Sequence, residues 1–151
     1  MVATVARAVM RRDRLRHRTT FVVVRATDRR VLIHRRSDDK DVWPGRWDLA
    51  VGGVVTAGEA YDAAAGRELA EEVGVTDATL VPLGAGRYDD DEVHVVARLY
   101  EVVYDGPFTF ADGEVVEARF VTLAELHRRL ATGSFVPDSV ALLAARLSDA
   151  G

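Results

Sequence analysis

A paired glycine, a lone glutamate six residues on, and one helix-length of chain closed by another glycine constrain this sequence more than anything else in it. The stretch runs from Gly53, preceded by Gly52, to Val75: GVVTAGEAYDAAAGRELAEEVGV. Its centre, Ala60 to Val73, is rich in Ala, Leu and Glu, which lose little on entering a helix, and only Gly66 argues against one. Gly74 stands where a helix-ending glycine belongs. On such a helix Glu68 lies one turn from both Glu71 and Glu72, so the three carboxylates share a face. Leu69 and Val73 form an apolar stripe beside them that can meet a core. Like charges one turn apart destabilise a helix, so a chain that keeps three together offsets their repulsion with something positive. Mg²⁺ is the natural ion, with Mn²⁺ as a substitute, because it takes carboxylate oxygens, keeps several waters and bridges to phosphates. Arg67, four residues before Glu71, adds positive charge and is placed to orient a metal-binding carboxylate. An acidic run such as ELAEE is by itself an ordinary solvated helix face. Here the glycine pair, Glu59 and the Gly74 stop are all in register with it.

Composition bounds the rest. A chain of 151 residues suits one domain spanning 1–151, which buries roughly 70% of its extended-chain surface. A net charge of −4 argues against a broad nucleic-acid-binding surface. Cysteine is absent, which excludes a disulfide frame, a thiolate zinc site and a thiol nucleophile, and fits a cytoplasmic protein. No apolar run approaches the roughly 18 residues that span a bilayer, so no membrane partner is expected. The Arg-rich opening MVATVARAVMRRDRLRHR reads as a surface helix leading into the domain.

Periodicity places strands at Thr20–Arg25, Val31–Arg35, Asp48–Val55, Leu80–Tyr88, Val93–Val103 and Glu114–Val121. A polar loop, Ser37 to Gly45, separates the second from the third. Thr122 and Glu125 form a capping-box pattern at the start of a helix. Pro137 and Asp138 open the last helix, which carries Val140, Leu142, Leu143 and Leu147. Strands and helices mix without strict alternation, which points to an α/β layered sandwich rather than a doubly wound sheet.

Nine positions, Gly53, Glu59, Arg67, Glu68, Leu69, Glu71, Glu72, Gly74 and Val75, fill the pattern G-x5-E-x7-R-E-U-x-E-E-x-G-U, with U aliphatic. Chance produces this on the order of once in 10⁹ start positions. On these residues the chain resembles the Nudix hydrolases, enzymes that cleave a diphosphate linked to another group, usually with Mg²⁺. The resemblance implies an α/β/α sandwich around a mixed sheet. It also implies a metal site of Glu68, Glu71, Glu72 and the Gly52 carbonyl. Arg67 belongs to the catalytic set, and Glu68 is the box residue that orients or deprotonates water. Glu92 and Glu114, outside the box, are rivals for that role, and Glu117 lies beside Glu114. Many Nudix enzymes are dimers, so a homodimer is in view.

A longer match, His17 to Val75 with WPGRW at Trp43–Trp47, resembles the isopentenyl-diphosphate-isomerase-like branch of the superfamily, and it extends through YDGPF and FVPDS. By that resemblance Arg36 and Lys40 hold the substrate diphosphate, and Asp90 and Glu92 supply further carboxylates. The isomerase places a catalytic cysteine where this chain has Gly52 and a metal-binding histidine where it has Val54. Its other metal histidines match His17 and fall near Met10. Without the cysteine, proton exchange on carbon lacks its side chain, whereas the carboxylate cluster suits phosphoanhydride hydrolysis. The expectation is Mg²⁺-dependent hydrolysis of a diphosphate linkage in a nucleoside diphosphate derivative or similar small metabolite. The alternatives are an isomerase and a non-catalytic binding or regulatory domain. Trp43 and Trp47 can stack a base, cover an apolar tail or pack, with packing expected for one of them. His34, His94 and His127 read as structural.

Overall fold

The computed structural model describes residues 15–40, 43–110 and 115–147, together with Val9. The helix expected at the N-terminus otherwise lies outside the described residues, except that Arg16, His17 and Arg18 open the first strand. The strands are β1 (Arg16–Arg25), β2 (Val31–Arg36), β3 (Trp47–Asp48), β4 (Val51–Val54), β5 (Val81–Asp89), β6 (His94–Val103) and β7 (Val115–Val121). The helices are α1 (Tyr61–Val73), α2 (Leu123–Leu130) and α3 (Pro137–Leu143), and a 3₁₀ turn, Ala144–Arg146, follows the last.

β1 is the spine of a mixed sheet. It runs parallel to β6 along its whole length, from Arg16 beside His94 to Arg25 beside Val103. On its other edge Thr19–Val22 pair antiparallel with β4, and Arg25 meets the start of β2. β2 pairs antiparallel with β3 and β7, and β5 closes the far side antiparallel to β6. Side chains alternate across strands, so the sheet has two cores. Val22 and Val24 of β1, with Tyr100 and Val102 of β6, pack under Ala65, Leu69 and Val73 of α1. Phe21 and Val23, with Ala97 and Leu99, face the other way, toward Leu126 of α2 and Leu143 of α3. The α/β/α sandwich follows from that alternation.

Beyond shifts of one residue at strand ends, three elements differ from the sequence reading, and β1 begins at Arg16 rather than Thr20 because it pairs with β6 along its whole length. The strand expected over Asp48–Val55 is split, because the Asp48 carboxylate accepts the Ala50 N–H at 3.0 Å and turns the chain between β3 and β4. α3 ends at Leu143, and Leu147 is buried beyond it. The Thr122 cap forms as read, its hydroxyl accepting the Glu125 N–H at 3.1 Å. α1 ends on Gly74 in the left-handed conformation, φ 73°, which satisfies the last carbonyls. Among the described residues no helix is long and apolar enough to cross a membrane.

Because α1 buries one face and presents acids on the next, neighbouring positions separate fold from chemistry. Leu69→Ala is expected to cost about 2–5 kcal/mol, since Leu69 is only 2% exposed under the sheet. Glu71→Ala, at a position whose side chain is 61% exposed, is expected to change stability by about 0.5 kcal/mol or less. Urea unfolding of the two variants checks the contrast.

Candidate active site

The site begins where the backbone of β4 has no side chains. A Cβ on Gly52 would lie 1.8 Å from the Thr20 carbonyl oxygen across the β1–β4 pair, so no other residue fits without moving a strand. A Cβ on Gly53 would lie 2.7 Å from Oε1 of Glu68. Gly53 therefore lets Glu68 of α1 press against bare backbone, while Gly52 lets β4 lie close on β1. Glu72 Oε2 accepts the Gly52 N–H at 3.0 Å. Burial, and then the charge of Glu68, pushes the Glu72 carboxyl up to about 8.

Arg67 organises the remainder. Its Nε and Nη2 donate to the two carboxylate oxygens of Glu59 at 2.9 and 3.0 Å, a forked pair. Nη1 donates to Glu68 Oε1 at 2.9 Å, and Nη2 also reaches the Val54 carbonyl at 3.2 Å. The contact to Glu71, the one foreseen from spacing, is the longest at 3.4 Å. Thr56 donates its N–H and hydroxyl to Glu59 Oε1 at 3.1 and 2.9 Å. Arg18 braces the same turn through the carbonyls of Glu59 and Thr56. The Arg67 hydrogen bonds, aided by those of Thr56, bring the Glu59 carboxyl down to about 2.

In front of α1 lies a cavity of about 290 Å³. Arg67, Glu68, Glu71 and Glu72 line it with Gly52 and Gly53, and Arg36 and Lys40 line the same space, as does His17. Trp43 lines it beside Val93 and Val95, whereas Trp47 packs on the core between the guanidiniums of Arg119 and Arg129, 5.7 and 5.8 Å from its ring. One tryptophan packs and one opens to the cavity.

Other acids named from sequence sit elsewhere. Asp90 Oδ1 accepts the N–H groups of Glu92 and Val93 at 2.7 and 2.9 Å, and Oδ2 accepts the Tyr88 hydroxyl at 2.6 Å, so its carboxylate builds the turn between β5 and β6. Glu92 is exposed on that turn and is not among the cavity's lining residues. Glu117 pairs with Arg119 on β7. Glu114 lies outside the described residues.

Three buried cavity residues had escaped the sequence reading as site groups. Asp48 Oδ1 accepts the Ala50 N–H and the Ser139 hydroxyl, the latter at 2.6 Å. Burial, then the Asp48 charge, pushes the Asp138 carboxyl up to about 7. Burial also lowers the His34 pKa. Asp48 and Asp138 are 90 residues apart and meet only because α3 docks on β3. In the sequence Asp138 looks like an ordinary helix-opening acid after a proline.

Among the described residues no three His, Cys, Asp or Glu side chains converge closely enough to hold one ion. Arg67 draws Glu68 and Glu71 to itself, and the Gly52 N–H engages Glu72. The donor chemistry nonetheless fits a hard divalent cation. It is all oxygen, and it includes a buried carboxyl that resists ionising until positive charge arrives.

A carboxylate-bearing helix packed on a glycine strand of a mixed α/β/α sandwich, beside two cations, defines the class as phosphoanhydride hydrolases. The chain belongs to the Nudix family: the NUDIX domain model matches residues 15–141. It is 36% identical over 144 residues to the uncharacterized Nudix hydrolase YfcD of Salmonella typhi, covering 95% of this chain and 77% of that one. It is 41% identical over 132 residues to the uncharacterized Nudix hydrolase SCO1686 of Streptomyces coelicolor, covering 86% and 73%. The crystal structure of DR0079 from Deinococcus radiodurans superposes with a TM-score of 0.74 at 27% identity, covering 87% of this chain and 82% of that one. The protein is a Nudix diphosphohydrolase, a hydrolase of pyrophosphate-containing small molecules.

The Arg67–Glu59 fork gives a pH-dependent prediction. Folding lowers the Glu59 pKa from 4.5 to about 2. Its contribution is therefore complete above about pH 4.5 and is lost as pH falls toward 2. Glu59→Gln is expected to lose about 1–3 kcal/mol of stability at pH 7, and the gap to wild type should shrink through that acid window. Denaturant unfolding at pH 7, 4 and 3 measures it.

Proposed function

We propose that the protein hydrolyses, with Mg²⁺, a diphosphate linkage in a nucleoside diphosphate derivative or a similar small metabolite. The observation that carries this reading is the convergence of the box carboxylates with Arg36 and Lys40 on one cavity. Glu71 and Glu72, with the Gly52 carbonyl and Glu68, are the residues that would hold the ion. When bound, Mg²⁺ neutralises the diphosphate oxygens and lowers the pKa of the attacking water. Arg36 and Lys40 hold phosphate oxygens through charge-assisted hydrogen bonds. Glu68 orients the water and takes its proton as the water oxygen attacks phosphorus and the bridging P–O bond breaks. Arg67, bonded to Glu68 and anchored on Glu59, keeps that carboxylate in place. The chain's cytoplasmic setting and its place in the isomerase-like branch belong to the same reading.

The isomerase alternative is weakened by a geometric fact. The position that carries the cysteine in that enzyme is here Gly52, where any Cβ collides with the Thr20 carbonyl. An intact set of box glutamates weighs against a purely binding role.

Glu72→Gln is expected to fold normally and to lose on the order of 10²-fold or more in kcat. The assay is phosphate or nucleotide release with Mg²⁺ across nucleoside di- and triphosphates, dinucleoside polyphosphates, nucleotide sugars and prenyl diphosphates. Near-wild-type turnover at limiting Mg²⁺ would reduce α1 to a charged surface.

Arg36→Ala and Lys40→Ala are expected to raise KM more than they lower kcat, each costing about 1–3 kcal/mol in kcat/KM. Steady-state kinetics on the best substrate decide it. Unchanged kcat/KM in both variants would return them to ordinary loop cations.

A further inference from the structure

The sheet ends in two edge strands, and the chain treats them differently. Among the described residues β5 pairs only with β6, and β7 only with β2. An open edge offers N–H and C=O groups to any other strand, so folded proteins blunt it. The β5 edge is blunted in three ways. Pro82 has no N–H to donate. The register slips between Pro82 and Gly84. Arg146 donates to the carbonyls of Leu83 and Ala85 at 3.1 and 3.4 Å. β7 reads VVEARFV, with neither proline nor glycine. Among the described residues no backbone group outside β2 bonds to it.

The order of side chains along β7 is self-complementary. They alternate across the strand. Ala118 and Phe120 pack toward the α1 core, with the Phe108 ring 5.8 Å from that of Phe120. Val116 shares their face and is 51% exposed. Glu117 and Arg119 share the opposite face, bonded to one another and half-exposed, with Arg119 over Trp47. Two copies of an edge strand that join antiparallel into one sheet are related by a two-fold axis normal to that sheet, and the axis passes through one residue. An axis through Ala118 sets Glu117 opposite Arg119 of the second copy, and Arg119 opposite its Glu117. It also sets Val116 opposite Phe120, and Val115 opposite Val121. Opposite charges, and an aromatic ring facing a β-branched residue, are favourable cross-strand pairs. An axis through Glu117 or Arg119 instead sets like charges directly opposite, which is destabilising.

We infer that β7 is a homodimer interface: two copies of the chain join edge to edge through antiparallel β7 strands centred on Ala118, with Glu117 and Arg119 setting the register. Glu117 thereby acts outside the reaction, and the interface is independent of which diphosphate is hydrolysed.

The test is sedimentation equilibrium of the full chain. Wild type is expected to show a concentration-dependent equilibrium between monomer and dimer. Glu117→Lys and Arg119→Glu should each weaken the dimer about tenfold or more, because symmetry repeats each new repulsion. Mixed in equal amounts, the two variants should dimerise again, because in the heterodimer every charge at these positions faces its opposite. A change in the ion pair within one chain cannot restore assembly on mixing. Circular dichroism reports that each variant is folded. Amide hydrogen exchange of the wild type gives a readout that needs no variant: β7 amides should gain protection as protein concentration rises, and β5 amides should not. A wild-type chain that stays monomeric up to millimolar concentration overturns the inference. So does a dimer that both single variants leave intact, a mixture of folded variants that stays monomeric, or a dimer whose formation leaves β7 exchange unchanged.

Discussion

The forked pair between Arg67 and Glu59 holds the rest of the site in place. A guanidinium offers planar donors in a fixed geometry, and here those donors bind a loop, a strand carbonyl and a helix carboxylate at once. On the helix side the turn between β4 and α1 is held by this fork and by the Tyr100 hydroxyl, which donates to Asp62 in the first turn of α1 at 2.5 Å. Without the fork, the angle at which α1 meets the glycine strand would rest on the apolar contacts of Ala65, Leu69 and Val73 and on single hydrogen bonds to Asp62 and Glu72, and apolar contacts do not fix rotation about a helix axis well. The acidic face needs that rotation fixed, because the placement of Glu68 against Gly53 tolerates no intervening side chain.

A division of labour between two kinds of acid follows. Glu59 is ionised far into acid because a cation is built in beside it. Glu72 and Asp138 are crowded by burial and by neighbouring acids, and among the described residues no side-chain cation is bonded to either. The first arrangement is finished within the fold, and the other two are left open toward the cavity. The acid completed within the fold and the two that face the cavity differ here in both partnership and depth.

Much of this was legible in the sequence because it depends on short-range geometry. The α1 face, its Gly74 stop and the strands of the sheet follow from spacing and residue type, and the placement of Arg36 and Lys40 near the box from the family resemblance. The break between β3 and β4 was not, because it hinges on whether the Asp48 carboxylate turns back to the Ala50 N–H. The dominant partner of Arg67 was missed because i,i+4 spacing favoured Glu71, whereas the loop folds back and delivers Glu59. Asp138, Asp48 and His34 emerged only from tertiary contact. A polar residue at a helix start and one in a strand carry no mark of being buried together.

That contact between Asp48 and Ser139 has a temporal side. The acidic helix α1 lies in the first half of the chain, yet one wall of the cavity comes from residues near 138, which dock on β3 through a hydroxyl and a strand bridge from Trp47 to Phe135. During synthesis the carboxylate face therefore forms well before there is a pocket in front of it. The chain can assemble its charged machinery early and still remain without a binding chamber until its final helix closes the last side.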